Sequence, residues 1–374
     1  MRVLSLVGAR PQFVKEMPVS RALRERHEEV LVHTGQHYDE ELSEVFFEEL
    51  DLPRPDHELG VGSGDHAEQT AAVVDRLAPL VEREDPDALV LYGDTNSTLG
   101  GAIVGSKRDL VVAHVEAGLR SGVRSMPEEV NRILTDHASD VLFTPTERAA
   151  ENLEREGLGE RGYWTGDVMY DAMEWASDVA DRAVDVREAY GVEPGEYVLA
   201  TVHRPRNADD HDRLSAIVDA LAAVDGPVVF PVHPRTEQTL ESFRLWDRAT
   251  SELTVIDPVG YLEFVALLSN ARAVATDSGG VQKEAFFAGR PCVTLRGETE
   301  WTETVATGWN RLVGADEESI VDALTDVSVP DERPTPYGDG HAAERILARL
   351  ETEVIRNDDR RSDSDRSRPG RSDP

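Results

Sequence analysis

Residues 2–15, RVLSLVGARPQFVK, run from an apolar stretch through a glycine into a helical pattern opened by proline. Strand, turn and helix in that order begin a βαβ unit. The same order recurs along the chain. Apolar runs at Arg2–Val7, Glu29–His33, Ala88–Tyr92, Leu110–Val115 and Val141–Thr144 alternate with helical patterns at Gln12–Arg26, His66–Glu84 and Glu128–Ala138, and Tyr163–Gly166 adds a short sixth strand. A helical connector near Asp171–Tyr190 leads into a second series. Its strands are Tyr197–Val202, Val228–Val232, Leu253–Ile256, Ala273–Thr276 and Cys292–Leu295, with helices at Ala208–Ala223, Gly260–Asn270 and Gly280–Phe287. There is no tandem repeat. Two successive series predict an α/β fold of two doubly wound, Rossmann-like domains, residues 1–169 and 170–341. An amphipathic helix is expected over 342–356. Residues 357–374, densely charged and without an apolar pattern, are expected to be disordered.

Composition agrees with this division. A chain of 374 residues exceeds one typical core, and 40% hydrophobic residues suit a globular protein. No apolar run approaches the roughly 20 residues that span a bilayer. The opening MRVLSLVGARPQ has no small-residue cleavage site and reads as strand, so the protein is expected to be cytoplasmic. A net charge of −34 argues against DNA or RNA as partner, although a small pocket can still be locally basic. Of 39 basic residues three are lysine (Lys15, Lys107 and Lys283), and this acidic, lysine-poor surface reads as adaptation to high salt. Cys292 is the single cysteine and sits in the apolar run PCVTL, so it is expected in the core; no zinc-type Cys/His spacing exists.

In open α/β sheets ligands bind beyond the carboxyl ends of the strands, so the residues after each strand are the candidates. After the first come Gly8-Ala9-Arg10-Pro11 and then Lys15. Pro11 suits a helix start, and Arg10, Lys15 and the helix amino terminus together suit phosphate. The stretch lacks the second glycine and Lys-Ser/Thr pair of a P-loop. Strand ALVLY is followed by Gly93-Asp94-Thr95-Asn96, and LVVAHV by Glu116-Ala117-Gly118, while Glu128 follows Pro127 at a predicted helix start. Converging carboxylates raise one another's pKa, which suits acid/base work. They would equally suit magnesium, but no DxD-type cluster accompanies them, which favours proton transfer. In the second half, YVLATV ends in His203-Arg204 and VVFPV in His233. Asp277-Ser278-Gly279-Gly280-Val281-Gln282-Lys283-Glu284 follows AVAT and opens a helix whose glycines admit a pyrophosphate. Glu284, four residues beyond Gly280 on the same face, suits ribose hydroxyls; Lys283 is expected to face away into solvent.

With Thr34-Gly35-Gln36-His37, His114-Val115-Glu116-Ala117-Gly118-Leu119-Arg120, Pro127-Glu128-Glu129 with Asn131-Arg132, and Pro336-Tyr337-Gly338-Asp339-Gly340, these motifs resemble the non-hydrolysing UDP-N-acetylglucosamine 2-epimerases over about residues 1 to 355. The resemblance implies a GT-B type fold, with a cleft between the domains and a last helix that crosses back to the amino-terminal one. It implies anti elimination of UDP to 2-acetamidoglucal and re-addition, without metal or other cofactor. Asp94, Glu116 and Glu128 match the family's catalytic acids. Arg10 and Lys15 match residues near the phosphates and sugar. His203, Phe264, Ser278, Gly279, Gly280, Glu284 and Arg311 match the UDP-binding set. In some bacterial members a second substrate molecule activates; Gln36, His37 and His233 match that region, whereas a Gly-Gln pair there reads Gly64-Asp65. The family precedent is a homodimer. The competing readings are a GT-B glycosyltransferase using a UDP-sugar and an epimerase of a 2,3-diacetamido UDP-sugar.

Overall fold

Hydrogen bonding gathers each series of apolar runs into one parallel sheet. The computed structural model describes residues 1–36 and 50–366. The chain divides into two compact units. Unit 1 comprises Met1–Ala172 with the segment from Pro336 onward, and unit 2 comprises Met173–Thr335.

Unit 1 contains, in order, β1 (Arg2–Val7), α1 (Arg10–Arg24), β2 (Glu28–His33), β3 (His57–Glu58), α2 (His66–Glu84), β4 (Ala88–Tyr92), α3 (Asn96–Gly105), β5 (Val111–Val115), α4 (Pro127–Ala138), β6 (Val141–Thr144), α5 (Glu147–Arg155) and β7 (Gly162–Trp164). Its sheet runs β3-β2-β1-β4-β5-β6-β7, with every neighbouring pair parallel. All of β4 and β5 is buried, since helices cover both faces. That is why those strands read as continuous apolar runs and not as alternation. The strand order reverses between β1 and β4, and this reversal opens the crevice in which such sheets hold ligands.

A polar cluster centred on Glu29 lies in the interior of unit 1. Glu29 accepts from Ser5 Oγ at 2.6 Å, Ser20 Oγ at 2.5 Å and Arg24 Nε at 2.7 Å. Glu16 is fully buried beside it. Burial, and then the charge of Glu29, pushes the Glu16 carboxyl well above the ordinary range.

After α6 (Val168–Ala183), unit 2 continues with α7 (Val186–Tyr190), β8 (Val198–Thr201), α8 (Pro205–Ala208), α9 (His211–Ala223), β9 (Val228–Pro231), α10 (Pro234–Ser242), α11 (Trp246–Glu252), β10 (Thr254–Ile256), α12 (Tyr261–Asn270), β11 (Ala273–Thr276), α13 (Gly279–Phe287), β12 (Cys292–Thr294), α14 (Thr302–Ala306), β13 (Asn310–Leu312) and α15 (Glu317–Thr325). The order β10-β9-β8-β11-β12-β13, again parallel, reverses between β8 and β11. Two such units in one chain are the GT-B type of α/β composition. Cys292 is buried, which raises its thiol to about 12.

The last helix, α16 (Ala342–Arg366), belongs to unit 1 and packs on α1. Ala343, Ile346, Leu347, Leu350 and Val354 form its buried stripe, and Glu351 meets His27 Nε2 at 2.7 Å. The sequence boundary at 356 is corrected here: residues 357–366 continue the helix. No glycine or proline interrupts them before Pro369, and residues of both signs alternate. The packed half therefore extends its backbone ladder into them. Residues 367–374 lie outside the described residues.

Candidate active site

The first group of candidates sits at the carboxyl end of unit 1's sheet. β4 and β5 are neighbours, with Tyr92 opposite Val115, so the residues that follow them, Gly93-Asp94 and Glu116, emerge side by side. Lys15, one turn into α1, makes an ion pair with Glu116 Oε2, and the two side chains are 12% and 8% exposed. Arg132 Nη2 pairs with Asp94 Oδ2, and its Nη1 lies 2.9 Å from Glu129 Oε2. Gly93 adopts φ +64, and a Cβ there would stand 3.1 Å from Lys15 Nζ and 3.5 Å from Glu116 Oε2. Glycine thus lets the backbone pass under the Lys15–Glu116 pair. Glu116 itself has φ 72, the left-handed region that non-glycine residues avoid.

Asp94 and Glu116 are each matched to a cation, Arg132 and Lys15 respectively. The cations come from helices, which strand ends alone do not reveal. Glu128 lies in the first turn of α4, half-buried; among the described residues no hydrogen bond or ion pair holds its carboxylate. Glu128, Arg132 and Asp136 follow one another at intervals of four along α4, on one face. That spacing was the signal by which Arg132 and Asp136 were detectable. Arg10 opens α1, but its side chain is outside what the structure describes. At this helix start Gln12 Oε1 takes the N–H groups of Gly8 (2.8 Å) and Ala9 (3.0 Å). Gln36 is buried and its Oε1 accepts from Ser97 N (3.0 Å) and Ser97 Oγ (2.7 Å), anchoring α3. His37 lies outside the described residues.

The second group gathers in unit 2, at its own reversal of strand order. Asp277, at the end of β11, is fully buried and accepts from His203 N (3.1 Å), Arg204 N (3.1 Å) and Asn207 Nδ2 (3.0 Å). It therefore fixes the turn after β8. α13 begins at Gly279 without a side-chain cap, and a Cβ on Gly280 would meet nothing within 4 Å. Its first N–H groups are thus left without a side-chain cap, beside a glycine with room around it, as suits a phosphate. Arg204 Nη2 lies 3.8 Å from the Cβ position of Gly279, which puts a cation beside this helix end. A cavity of about 190 Å³ next to it is walled by Pro231, Pro258, Val259 and Phe264, with Ser278 and His203 at its rim. His233 lines it too; its Nδ1 accepts from Arg235 N at 3.2 Å, so the ring hydrogen is on Nε2. Burial lowers the pKa of His203, against the opposite pull of Asp277.

Glu284 is 8% exposed, and burial, against the lowering charge of Lys283, pushes its carboxyl up to about 7. Lys283 is not solvated as expected: it is 1% exposed, with its ammonium 3.9 Å from the centre of the Trp301 ring. α13 is packed on nearly every side, and an aromatic face is a partner that makes burial of a lysine tolerable. Arg311 is exposed on the edge strand β13 and forms no hydrogen bond or ion pair with the residues of this group.

The family model for UDP-N-acetylglucosamine 2-epimerase matches residues 21–351. A UDP-N-acetylglucosamine 2-epimerase homolog of Methanococcus maripaludis is 45% identical over 361 residues, 96% of this chain and 100% of its own. A UDP-2,3-diacetamido-2,3-dideoxy-D-glucuronate 2-epimerase of Pseudomonas aeruginosa is also 45% identical, over 94% of this chain and 99% of its own. The crystal structure of the Methanocaldococcus jannaschii UDP-GlcNAc 2-epimerase in complex with UDP-GlcNAc and UDP superposes with a TM-score of 0.82 at 42% identity, covering 94% of this chain and 100% of the other. With a family model matched over most of its length and relatives at 42–45% identity covered almost end to end, this chain belongs to the UDP-N-acetylglucosamine 2-epimerase family.

Proposed function

We propose that the protein is a non-hydrolysing UDP-N-acetylglucosamine 2-epimerase that interconverts UDP-N-acetylglucosamine and UDP-N-acetylmannosamine. One observation carries the reading. Asp94 and Glu116 leave adjacent strands beside the switch point, each with a cation at hand. A base takes the C2 proton, the C2–H electrons form the C1=C2 double bond, and the C1–O bond breaks with its electrons leaving on UDP. Protonation of C2 from the opposite face and return of UDP to C1 complete the inversion. Asp94, Glu116 and Glu128 supply the acids and bases. Arg10 and Lys15 lie on the phosphate and sugar side, Lys15 also pairing with Glu116. In unit 2, the open end of α13 with Ser278, Gly279 and Gly280 takes the diphosphate. Glu284 takes the ribose, Phe264 and His203 border the base, and Arg311 completes the set.

In deuterated water and molar salt, with UDP-N-acetylglucosamine alone, the expected result is deuterium at C2 together with the manno epimer, both visible by proton NMR. Transfer of the sugar to an acceptor without C2 exchange would sink the proposal in favour of a glycosyltransferase. The Pseudomonas relative supports a second reading, a 2,3-diacetamido UDP-uronic acid as substrate. Running the same exchange experiment with that sugar separates the two.

We also assign the working state as a homodimer in the cytoplasm of a salt-adapted cell. In unit 1 a groove of about 780 Å³ between α2, α3 and α4 is lined by Val74, Leu99, Ile103, Met126 and Val130. Ile103, Met126, Val130 and nearby Leu134 are each more than a third exposed. Such an apolar patch on a surface of net charge −34 suits a second copy of the chain. Light scattering in molar salt is expected to give twice the chain mass; a monomer mass would refute the assignment. No helix among the described residues is long and apolar enough to cross a membrane.

A further inference from the structure

We propose that the buried His114–Asp136 pair is the positioning element that sets Asp94, Glu116 and Glu128 relative to one another. The proposal rests on the reading of those three residues as the acids of the reaction. His114 and Asp136 are both fully buried. His114 lies inside β5, with Nε2 2.7 Å from the carbonyl oxygen of Gly93 and Nδ1 2.7 Å from Asp136 Oδ1. A carbonyl oxygen can only accept, so Nε2 donates to Gly93. Asp136 is held as a carboxylate. Burial alone would raise it, but the hydrogen bond and charge of His114 and the ion pair with Arg120 outweigh burial and bring it below its ordinary range. Arg120 Nη1 lies 2.8 Å from Oδ2, and Gly118 N donates to the same oxygen at 3.1 Å. Nδ1 therefore also donates, and His114 carries hydrogens on both ring nitrogens as an imidazolium.

Each arm of this unit reaches the chain beside one acid. The His114 ring grips Gly93, the residue before Asp94. Glu116 stands midway between His114 and Gly118, both tied to Asp136, so its left-handed φ is pinned from two residues before and two residues after. Asp136 belongs to α4, whose first turn carries Glu128. Neither His114 nor Asp136 is exposed to substrate, so the pair acts through the acids and not on the sugar. A neutral histidine would lose one of its two donations, and either Gly93 or Asp136 would be left with a buried acceptor unmet.

The test combines a spectroscopic signature with kinetics. In protein labelled with ¹⁵N-histidine, at a pH of about 7.5, the His114 ring is expected to show two slowly exchanging N–H groups, and a single one in D136N. H114Q is expected to lower kcat about 10- to 100-fold, the range seen when groups that orient reacting residues are removed, with the Kd for UDP changed less than about twofold. The share of turnovers that release free 2-acetamidoglucal should rise, because the acid that must return the proton to C2 is displaced. A singly protonated His114 in the wild type overturns the proposal, as does an H114Q kcat within about twofold of wild type. If H114Q does not fold, the wild-type ring signal and the D136N rate decide. A wild type that forms no epimer sinks the reading of the acids, whereas normal turnover with a singly protonated His114 sinks this proposal alone.

Discussion

Replacing Glu116 by glutamine is expected to lower kcat by about three orders of magnitude, within the 10²- to 10⁴-fold that a positioned acid or base contributes. Glutamine keeps the size of the side chain and can still accept from Lys15, but it can neither take nor return a proton. The pair it disrupts is largely shielded, at 12% and 8% exposure, so Lys15 is left without its counter-charge and some stability goes too. Binding of UDP separates the two effects. The nucleotide is assigned to α13 and Glu284 of unit 2, none of which the substitution alters, so its Kd by calorimetry should stay nearly constant. Retention of a tenth or more of the C2 exchange rate in E116Q would remove Glu116 from the acids.

UDP binding is expected to strengthen about tenfold for each unit that pH rises toward 7, and then to level off. The cause is Glu284, which burial holds at about 7 in the free protein. The sign follows from what the site must do. Only the carboxylate accepts from two ribose hydroxyls, so below about 7 the bound proton has to leave before the hydroxyls are met, and binding releases it. Above about 7 the carboxylate is already present and pH no longer matters. Calorimetry in buffers of different ionisation heat should register that released proton on the acid side. Glu284→Gln is expected to flatten the profile, and Glu284→Ala to weaken UDP by about 10² or more, the loss of two hydrogen bonds to a charged group. A Kd that is flat in the wild type across this range would detach Glu284 from the ribose.

The sheets were legible because parallel strands covered on both faces show as unbroken apolar runs, as in ALVLY and VVAHV. β3 and β13 were not. They have two and three residues, stand at or near sheet edges and include His57, Glu58, Asn310 and Arg311, so backbone pairing rather than side-chain burial defines them. The rule that ligands gather beyond strand ends located Asp94, Glu116, His203 and Ser278. It was silent on Arg132 and Asp136, because a helix face reaches a site through tertiary packing. Lys283 was misread for a related reason. A charged residue in a helix is ordinarily solvated, and the Trp301 ring that shelters it is 18 positions further along the chain. The tail was judged on composition, which measures the drive to pack but not the ability of a helix already started to run on.

The left-handed twist at Glu116 sets folding against chemistry at one residue. Glycine would sit there without strain, while glutamate costs on the order of 1 kcal/mol. Drift guided by stability alone would therefore replace the acid with a residue incapable of catalysis. On the role proposed for Glu116, the turn after β5 gives up ease of folding for turnover.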